Sequence, residues 1–315
     1  MRVAVVIPCH DVQEHLAAAL ASVLAQTHAD LDVLLVDDGS TDGTPQLIAD
    51  LHQRHPGRFR SMRQENRGAA AARNAGLRAT QGEYVQFLDA DDVIYPDKIA
   101  AQLAVAAAHA HPDLVVGDFE QIMPNGLLLP SLARYDRPWM ALITTRMGTT
   151  SANLWKRSAV EAVGGWNEAL ASSQDYELMF RLLKNRATVA WDAVIRTDVL
   201  KRASGSISRT DVDANWLRYV QLRQEMKVFL AQQDPVGHAA EIEALRQYIF
   251  MALRIIAVRD LPLAVRLYRS CIGKPFKPQV GKAITERYVL LHTLLGFAAT
   301  ERLLRRVKRG TPEKS

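Results

Sequence analysis

The sequence predicts an α/β fold, in which helices flank a mostly parallel central sheet and a helical C-terminal extension follows. Three observations lead to this prediction. Continuous apolar runs alternate with helical stretches over the first two-thirds of the chain, polar or acidic clusters follow several of those runs, and the pattern beyond residue 211 is helical. Alternating strands and helices are typical of parallel sheets, because each parallel connection needs a crossover.

The predicted strands are short apolar runs. Val3 to Ile7 is continuously apolar, as expected of a strand buried on both faces, and the run from Asp32 to Val36 has the same character. Further runs predict strands at 59–62, 84–88 and 114–116, and a looser alternation over 189–200 predicts a closing strand.

The predicted helices of this part lie between the strands. Val12, Leu16, Leu20 and Val23 form one apolar stripe at helical spacing. Pro96 suits the start of a helix that runs to about residue 109, because its missing N–H is not needed in the first turn. The other predicted helices are 44–55, 68–79 and 174–183.

Two parts of the chain have less regular patterns. Pro124, Pro130 and Pro138 punctuate a segment, 125–148, that we predict to contain loops and short strands. Beyond residue 211 the helical pattern is broken near 234–235 and again between residues 273 and 278.

The composition is that of an ordinary soluble globular protein. Of its 315 residues, 48% are apolar and 23% are charged, and the net charge is +5. Cys9 and Cys271 are far apart in the sequence, which argues against a disulfide framework and favours a reducing cytoplasm. The first apolar run is too short for a signal peptide, and no run approaches the roughly 18 residues of a spanning helix.

Acidic residues follow the predicted strand at 84–88. Asp89 and Asp91 stand two apart, so in extended backbone their carboxylates would point the same way and repel each other. A divalent metal would relieve that repulsion, and oxygen ligands suit Mg²⁺ or Mn²⁺, which keep waters and bind substrate phosphates. The alternative is an acidic turn that caps the next helix, since Asp-rich turns are common.

Polar clusters are expected to meet at one edge of the sheet. Ligands of open α/β sheets bind beyond the carboxyl ends of the strands, and here those ends carry residues 8–11, 37–40 and 89–92. A dinucleotide site of the Gly-x-Gly-x-x-Gly type is not indicated, because residues 8–13 contain no glycine.

Short motifs occur in a fixed order along the chain, among them Asp-Asp-Gly-Ser at 37–40 and Asp-Ala-Asp-Asp at 89–92. The full set is 5–11, 22–27, 36–44, 66–68 with 72–76, 89–92, 165–166 and 174–177. In this order and spacing they resemble the inverting glycosyltransferases of family 2, which have the GT-A fold. The resemblance covers residues 3 to about 208.

The resemblance implies a division of the chain. A GT-A glycosyltransferase domain would occupy residues 1–210, with nucleotide-sugar binding in about 1–118 and the acceptor side in about 119–210. The helical C-terminal region, 211–315, lies outside the resemblance.

The resemblance also implies roles for four carboxylates. Asp38 would contact the base or ribose of the donor, Asp91 would ligate the metal that bridges its diphosphate, and Asp89 would reach the ribose or the metal. Asp175 would be the general base that takes the proton of the acceptor hydroxyl, and a single displacement of this kind gives inversion. Gln174 stands where the family often has Glu, which lowers the local charge.

Further residues are predicted to contact substrates. Arg73 is either a donor-phosphate contact or a solvated surface residue, and Trp166 either lines the acceptor side or is a core aromatic. Lys201 and Arg202 begin a loop, 201–208, expected to close over the diphosphate, although the His that relatives often carry there is absent. The other predicted contacts are Pro8, Asp11 and Arg67.

The predicted function is transfer of a sugar from a UDP- or GDP-type donor to a hydroxyl of a glycan or lipid-linked acceptor, in bacterial cell-surface polysaccharide synthesis. One alternative is a catalytically idle nucleotide-sugar-binding module. The other is a sugar nucleotidyltransferase, which would need a Gly-rich basic loop after the first strand.

The C-terminus combines an apolar stripe with basic residues. The helix at about 288–304 either packs on the catalytic domain with a solvated tail or lies at the inner membrane surface, facing anionic headgroups. Nucleic acid is not an expected partner, because the basic residues lack interleaved aromatics. The basic residues are Arg302, Arg305, Arg306, Lys308 and Arg309.

Overall fold

The structure, a computed structural model, divides into two compact units. It describes residues 1–202, 211–273, 275–281 and 283–309, the last four without their side chains. Unit 1 is Met1–Thr210 and unit 2 is Asp211–Ser315.

Unit 1 is built on a mixed sheet of nine strands within the described residues. The strands are β1 Val3–Cys9, β2 Leu31–Asp38, β3 Arg60–Gln64, β4 Tyr84–Phe87, β5 Val93–Ile94, β6 Leu114–Ile122, β7 Leu128–Ser131, β8 Leu154–Lys156 and β9 Val189–Leu200. The helices are α1 Leu16–Leu24, α2 Thr44–Arg54, α3 Ala69–Ala79, α4 Lys98–Ala108, α5 Pro138–Ile143, α6 Arg157–Ala162 and α7 Gln174–Lys184.

The sheet has a parallel half and a mixed half. Its order is β3-β2-β1-β4-β8-β6-β9-β5, with β7 paired to β6. The pairs β3-β2, β2-β1 and β1-β4 are parallel, whereas β8 runs antiparallel to both β4 and β6. The sheet is therefore less uniformly parallel than the sequence predicts, because β6 and β7 form a hairpin and crossover helices do not link all the strands.

Helix α3 packs closely against the core of unit 1, and this close contact requires small residues in the helix. The buried cluster includes Val5, Leu20 and Leu35, from β1, α1 and β2. A Cβ added at Gly76 would lie 2.2 Å from a methyl of Val6, so α3 packs closely on β1 only with glycine at this position.

The named elements of unit 2 are all helices. Its helices are α8 Val212–Gln233, α9 Ala239–Arg259, α10 Leu261–Cys271 and α11 Glu286–Arg309. Phe250 lies at the centre of an aromatic cluster with Tyr268, Tyr288 and Phe297, in which His292 is also buried.

Helix α11 is broken at Gly296, whose φ is 74°. The stripe predicted over 288–304 does not form one buried face, even before this break. Tyr288 and Phe297 are buried, whereas Leu294 and Leu295 are exposed.

Candidate active site

A cavity of about 840 Å³ lies where β1, β2, β4 and β9 end. The polar clusters that the sequence predicts at one edge of the sheet meet here. The predicted site residues among those lining the cavity are Pro8, Asp11, Asp38, Arg73, Asp89, Asp91, Lys201 and Arg202.

Asp38 is a buried carboxylate at the end of β2. It accepts hydrogen bonds from the backbone N–H groups of Arg67 at 3.0 Å and Gly68 at 2.8 Å, and from the Gln64 amide at 2.7 Å. The carboxylate therefore holds the turn that begins α3 and presents its edge to the cavity.

Asp11 connects the two loops that follow β1 and β2. Its carboxylate accepts from the backbone N–H of Thr41 at 2.7 Å and of Asp42 at 3.2 Å, and these bonds lower its pKa. Its own N–H donates to Ser40 at 3.1 Å. Asp11 thus holds the two loops together where they form part of the cavity wall.

The acidic segment after β4 is a turn. β4 ends at Phe87, and the N–H of Asp92 donates to the carbonyl of Asp89 at 3.0 Å. The extended backbone assumed for Asp89 and Asp91 is therefore wrong. Each of the two carboxylates contacts a different arginine, and the positive charges of these arginines offset the repulsion between the carboxylates.

Arg73 pairs with Asp89 from a buried position on α3. Its guanidinium donates to Asp89 at 2.5 Å and to the Gln174 side chain at 2.9 Å, and it lies 4.5 Å from the centre of the Trp166 ring. The residue is only 6% exposed. The interpretation of Arg73 as a solvated surface residue is therefore wrong. It links the acidic turn to the first residue of α7.

Arg202 pairs with Asp91 at 2.8 Å from the segment after β9. Burial raises the pKa of Asp91 and the charge of Asp89 raises it further, while Arg202 partly opposes both effects. Of the predicted closing loop, Lys201 and Arg202 line the cavity, and 203–208 fall outside the described residues.

Asp92 and Ser151 position the acidic turn, and sequence reasoning missed this function. The buried Ser151 hydroxyl donates to Asp92 at 2.6 Å and accepts from the N–H of Asp89 at 3.1 Å, and Asp92 also accepts from the N–H of Leu200 at 3.1 Å. Burial and the neighbouring carboxylates raise the pKa of Asp92 well above its usual range. The local signal at Ser151 was only a run of small polar residues at 148–153.

Asp175 lies in the first turn of α7, behind the cavity wall. It accepts from the N–H of Tyr176 at 2.8 Å, and Thr149, which lines the cavity, donates to it across a long 3.4 Å contact. Desolvation by the surrounding protein raises the pKa of Asp175, and the positive charge of Arg73 only partly offsets this. Asp175 does not line the cavity itself, but it lies one hydrogen bond behind the lining.

Two predicted contacts lie away from the cavity. Trp166 is 2% exposed and packs edge-on against Phe87, with ring centres 5.1 Å apart, so it is a core aromatic that supports Arg73. Its prediction as a substrate contact is corrected on this ground. The exposed side chain of Arg67 pairs with Glu168 at 2.8 Å and is absent from the cavity lining, although its backbone N–H holds Asp38.

The donor set suits a hard divalent cation. Asp89 and Asp91 supply carboxylate oxygens on one turn, and burial, followed by the charge of Asp89, raises the pKa of Asp91. No cluster of three or more His, Cys, Asp or Glu side chains is arranged for a metal within the described ranges. Two carboxylates fit Mg²⁺ or Mn²⁺, because these ions commonly take waters and substrate phosphate oxygens as their other ligands.

Comparison with known proteins identifies relatives of this chain. Residues 4–160 match the family model for glycosyl transferase family 2. Chondroitin synthase of Escherichia coli is 26% identical over 217 residues, which cover 67% of this chain and 30% of that protein. The matched part spans about a third of the length of the first curated relatives.

Solved structures show the same architecture. The TarS 1–349 fragment of S. aureus in complex with UDP-GlcNAc matches with a TM-score of 0.71 at 17% identity, covering 100% of this chain and 93% of that one. A mannosyltransferase from Pyrobaculum calidifontis, in complex with GDP-Man and Mn²⁺, matches with a TM-score of 0.55 at 18% identity, covering 98% and 88%.

The fold and the family match define a glycosyltransferase domain with the GT-A fold. The chain belongs to glycosyltransferase family 2, as its motifs predict, and polysaccharide synthases are among its relatives. None of the helices in the described ranges is long and apolar enough to cross a bilayer.

Proposed function

We propose that the protein is an inverting, metal-dependent glycosyltransferase that moves a sugar from a nucleoside-diphosphate donor to a hydroxyl of a glycan or lipid-linked acceptor. The single observation that carries the proposal is the convergence of Asp38, Asp89, Asp91 and Arg73 on one cavity. The relatives support a role in cell-surface polysaccharide synthesis, because they include synthases of chondroitin and hyaluronan.

The donor would lie along the cavity with its nucleoside towards Asp38 and its diphosphate towards the acidic turn. Asp91 and Asp89 would hold Mg²⁺ or Mn²⁺, which when bound would neutralise the charge that develops on the leaving diphosphate. Arg202 and Lys201 lie beside the same turn and would add positive charge to it. The nucleotide sugars bound by the two structural neighbours support a donor of the UDP or GDP type.

Asp175 would act as the general base for the acceptor hydroxyl. Its raised pKa makes its carboxylate a stronger base than an ordinary aspartate. Thr149 stands between Asp175 and the cavity, so the acceptor hydroxyl would approach at this part of the wall. Attack opposite the leaving diphosphate would invert the anomeric centre.

The proposed location is the cytoplasm, with contact to the inner membrane surface through the basic C-terminus. Arg302 is exposed on α11 and Arg305 lies on the same helix, which supports attraction to anionic headgroups.

A panel of nucleotide sugars tests the proposal. The protein is incubated with each donor, a mixture of glycan and lipid-linked acceptors and Mn²⁺, with and without a chelator. Release of UDP or GDP that requires both acceptor and metal is the expected result.

The alternatives give different results in the same assay. Donor binding without turnover across the panel would indicate an idle binding module. Pyrophosphate released from a sugar phosphate and a nucleoside triphosphate would indicate a nucleotidyltransferase. Full transfer in the presence of chelator would contradict the metal dependence.

A further inference from the structure

The hairpin of β6 and β7 projects an apolar tip from unit 1. Residues 124–130 are all exposed, and no residue from 121 to 133 carries a charge. Leu127 and Leu128 are 52% and 51% exposed, and Leu129 and Leu132 are also exposed. Clusters of exposed leucines of this kind are unusual in soluble domains and mark interaction sites.

The exposed leucines lie on both faces of the hairpin. Successive side chains of a strand point to opposite faces, so Leu128 and Leu129 of β7 lie on opposite faces, and the exposed Leu127 directly precedes the strand. A partner protein seated on one face would leave the other in water. A lipid bilayer would surround both faces and the tip together.

Basic residues stand at the base of the same hairpin. Arg146 donates to the carbonyl of Leu132 at 2.9 Å, and the N–H of Arg134 donates to the carbonyl of Arg146 at 2.9 Å. Arg137 follows closely and is exposed. Three carboxylates lie nearby: the exposed Asp136, which pairs with Arg134 at 3.0 Å, the half-buried Glu120 on β6, and the buried Asp118, which accepts from the N–H of Ala133 at 2.7 Å. Arg137 and Arg146 are exposed whereas Asp136 is the one exposed carboxylate of the three, so the exposed charge at the base is more positive than negative, and the tip carries no charge.

We propose that the β6–β7 hairpin inserts its leucine tip into the surface of a bilayer, with Arg134, Arg137 and Arg146 at the level of anionic headgroups. Apolar side chains at the tip and arginines at the base match the order in which a bilayer presents its acyl chains and phosphates. A second copy of the chain is a poorer occupant, because Pro130 removes an N–H donor from the short free edge of β7. The inference does not depend on the identity of the donor or the acceptor.

The experiment measures binding of the whole protein to vesicles of phosphatidylcholine, with and without phosphatidylglycerol. We expect cosedimentation that increases with phosphatidylglycerol. The hairpin variant Leu127→Ser/Leu128→Ser/Leu129→Ser should lose about tenfold or more of its partitioning, because its apolar tip is removed. The matched control, Val236→Ser/Ile255→Ser/Val280→Ser, changes three exposed apolar residues of unit 2 and should bind as the wild type does.

A second measurement locates the tip directly. Both native cysteines are buried, so a fluorophore on Leu128→Cys can be attached selectively. Its emission should shift to the blue on anionic vesicles and be quenched by lipids that carry a quencher in their acyl chains. An unshifted label, or a hairpin variant that binds vesicles like the wild type, would show that attachment occurs elsewhere and overturn the inference. A wild-type dimer that the hairpin variant breaks would assign the tip to a second copy and overturn it equally.

Discussion

The proposed donor-side and acceptor-side parts of unit 1 hold their main carboxylates in opposite ways. Asp38, on the donor side, accepts three hydrogen bonds, two of them from backbone N–H groups. Asp175, on the acceptor side, accepts one backbone bond and one long contact from Thr149. A fully bonded carboxylate is suited to binding, whereas a desolvated and sparsely bonded one has a raised pKa and is suited to accepting a proton. The comparison teaches that the carboxylate proposed to bind the donor is held in place by hydrogen bonds, whereas the carboxylate proposed as the base, on α7, is left able to accept a proton.

The largest effect is expected at the acceptor side. Asp175→Asn removes the proposed base and should lower kcat by about 10²–10⁴-fold, while donor affinity stays close to that of the wild type. Steady-state kinetics with calorimetric titration of the donor checks this. Glu161→Gln, an exposed change in the same region, is the control. An Asp175→Asn variant with full turnover would remove the contrast between the two sides.

On the proposed donor side, we expect a loss of transfer that is accompanied by weaker metal binding. Asp91→Asn removes a proposed metal ligand and should lower transfer by about 10²–10³-fold, because stabilisation of the leaving diphosphate is lost. It should also weaken Mn²⁺ binding, measured by calorimetry with the donor nucleotide present. The matched control is Asp50→Asn on exposed α2 surface. Unchanged Mn²⁺ affinity would show that the metal binds elsewhere.

A substitution that crowds the contact between α3 and β1 tests how rigid the parallel half is. Gly76→Ala places a methyl group 2.2 Å from Val6 and should cost about 1–3 kcal/mol of unfolding free energy, because α3 must move away from β1. Arg78→Ala, an exposed change in the same helix, should stay within about 0.5 kcal/mol. Chemical denaturation of both variants measures the difference. Equal stability would mean that α3 and β1 can separate without cost.

The smallest expected effect is a shift in pH dependence. Asp175 must be deprotonated to act, so transfer should fall as the pH drops through its raised pKa. Gln174→Glu adds a carboxylate beside Arg73, whose positive charge lowers that pKa. The pKa of Asp175 should therefore rise further, and the acid limb of the kcat profile should move to higher pH.

Two controls belong to the pH experiment. Gln53→Glu, the same change on an exposed part of α2, should leave the acid limb in place. Asp175→Asn should have no such limb in its residual activity. If Gln174→Glu leaves the acid limb in place, the charge of Arg73 does not affect the pKa of Asp175.

Much of the parallel half was predictable because its signals are local. Continuous apolar runs indicate buried strands, and all parallel strands end at the same edge, so Asp38, Asp89 and Asp91 were expected to meet there. The mixed half was less predictable, because hairpins and antiparallel strands such as β8 have no crossover helix to announce them. Helix α5 lay in a segment interpreted as loops and short strands.

Within the site, residue types were predictable and contacts were not. The motif that contains Arg73 indicated either a phosphate contact or a surface residue. Its burial beside Trp166 and its pairing with Asp89 could not be predicted, because these three residues come from segments far apart in the sequence. Ser151 carried no signal of its own, since a buried serine and a loop serine look alike in a sequence.

The sequence by itself determined the family, the existence of the parallel strands and the acidic residues that follow them, because these depend on local patterns and short motifs. Only the tertiary structure decided which arginine neutralises each carboxylate, that Trp166 lies in the core, and that the leucines of β7 face solvent. The physical reason is that charge pairing and burial depend on segments far apart in the chain, and the periodicity of one segment does not specify what packs against it.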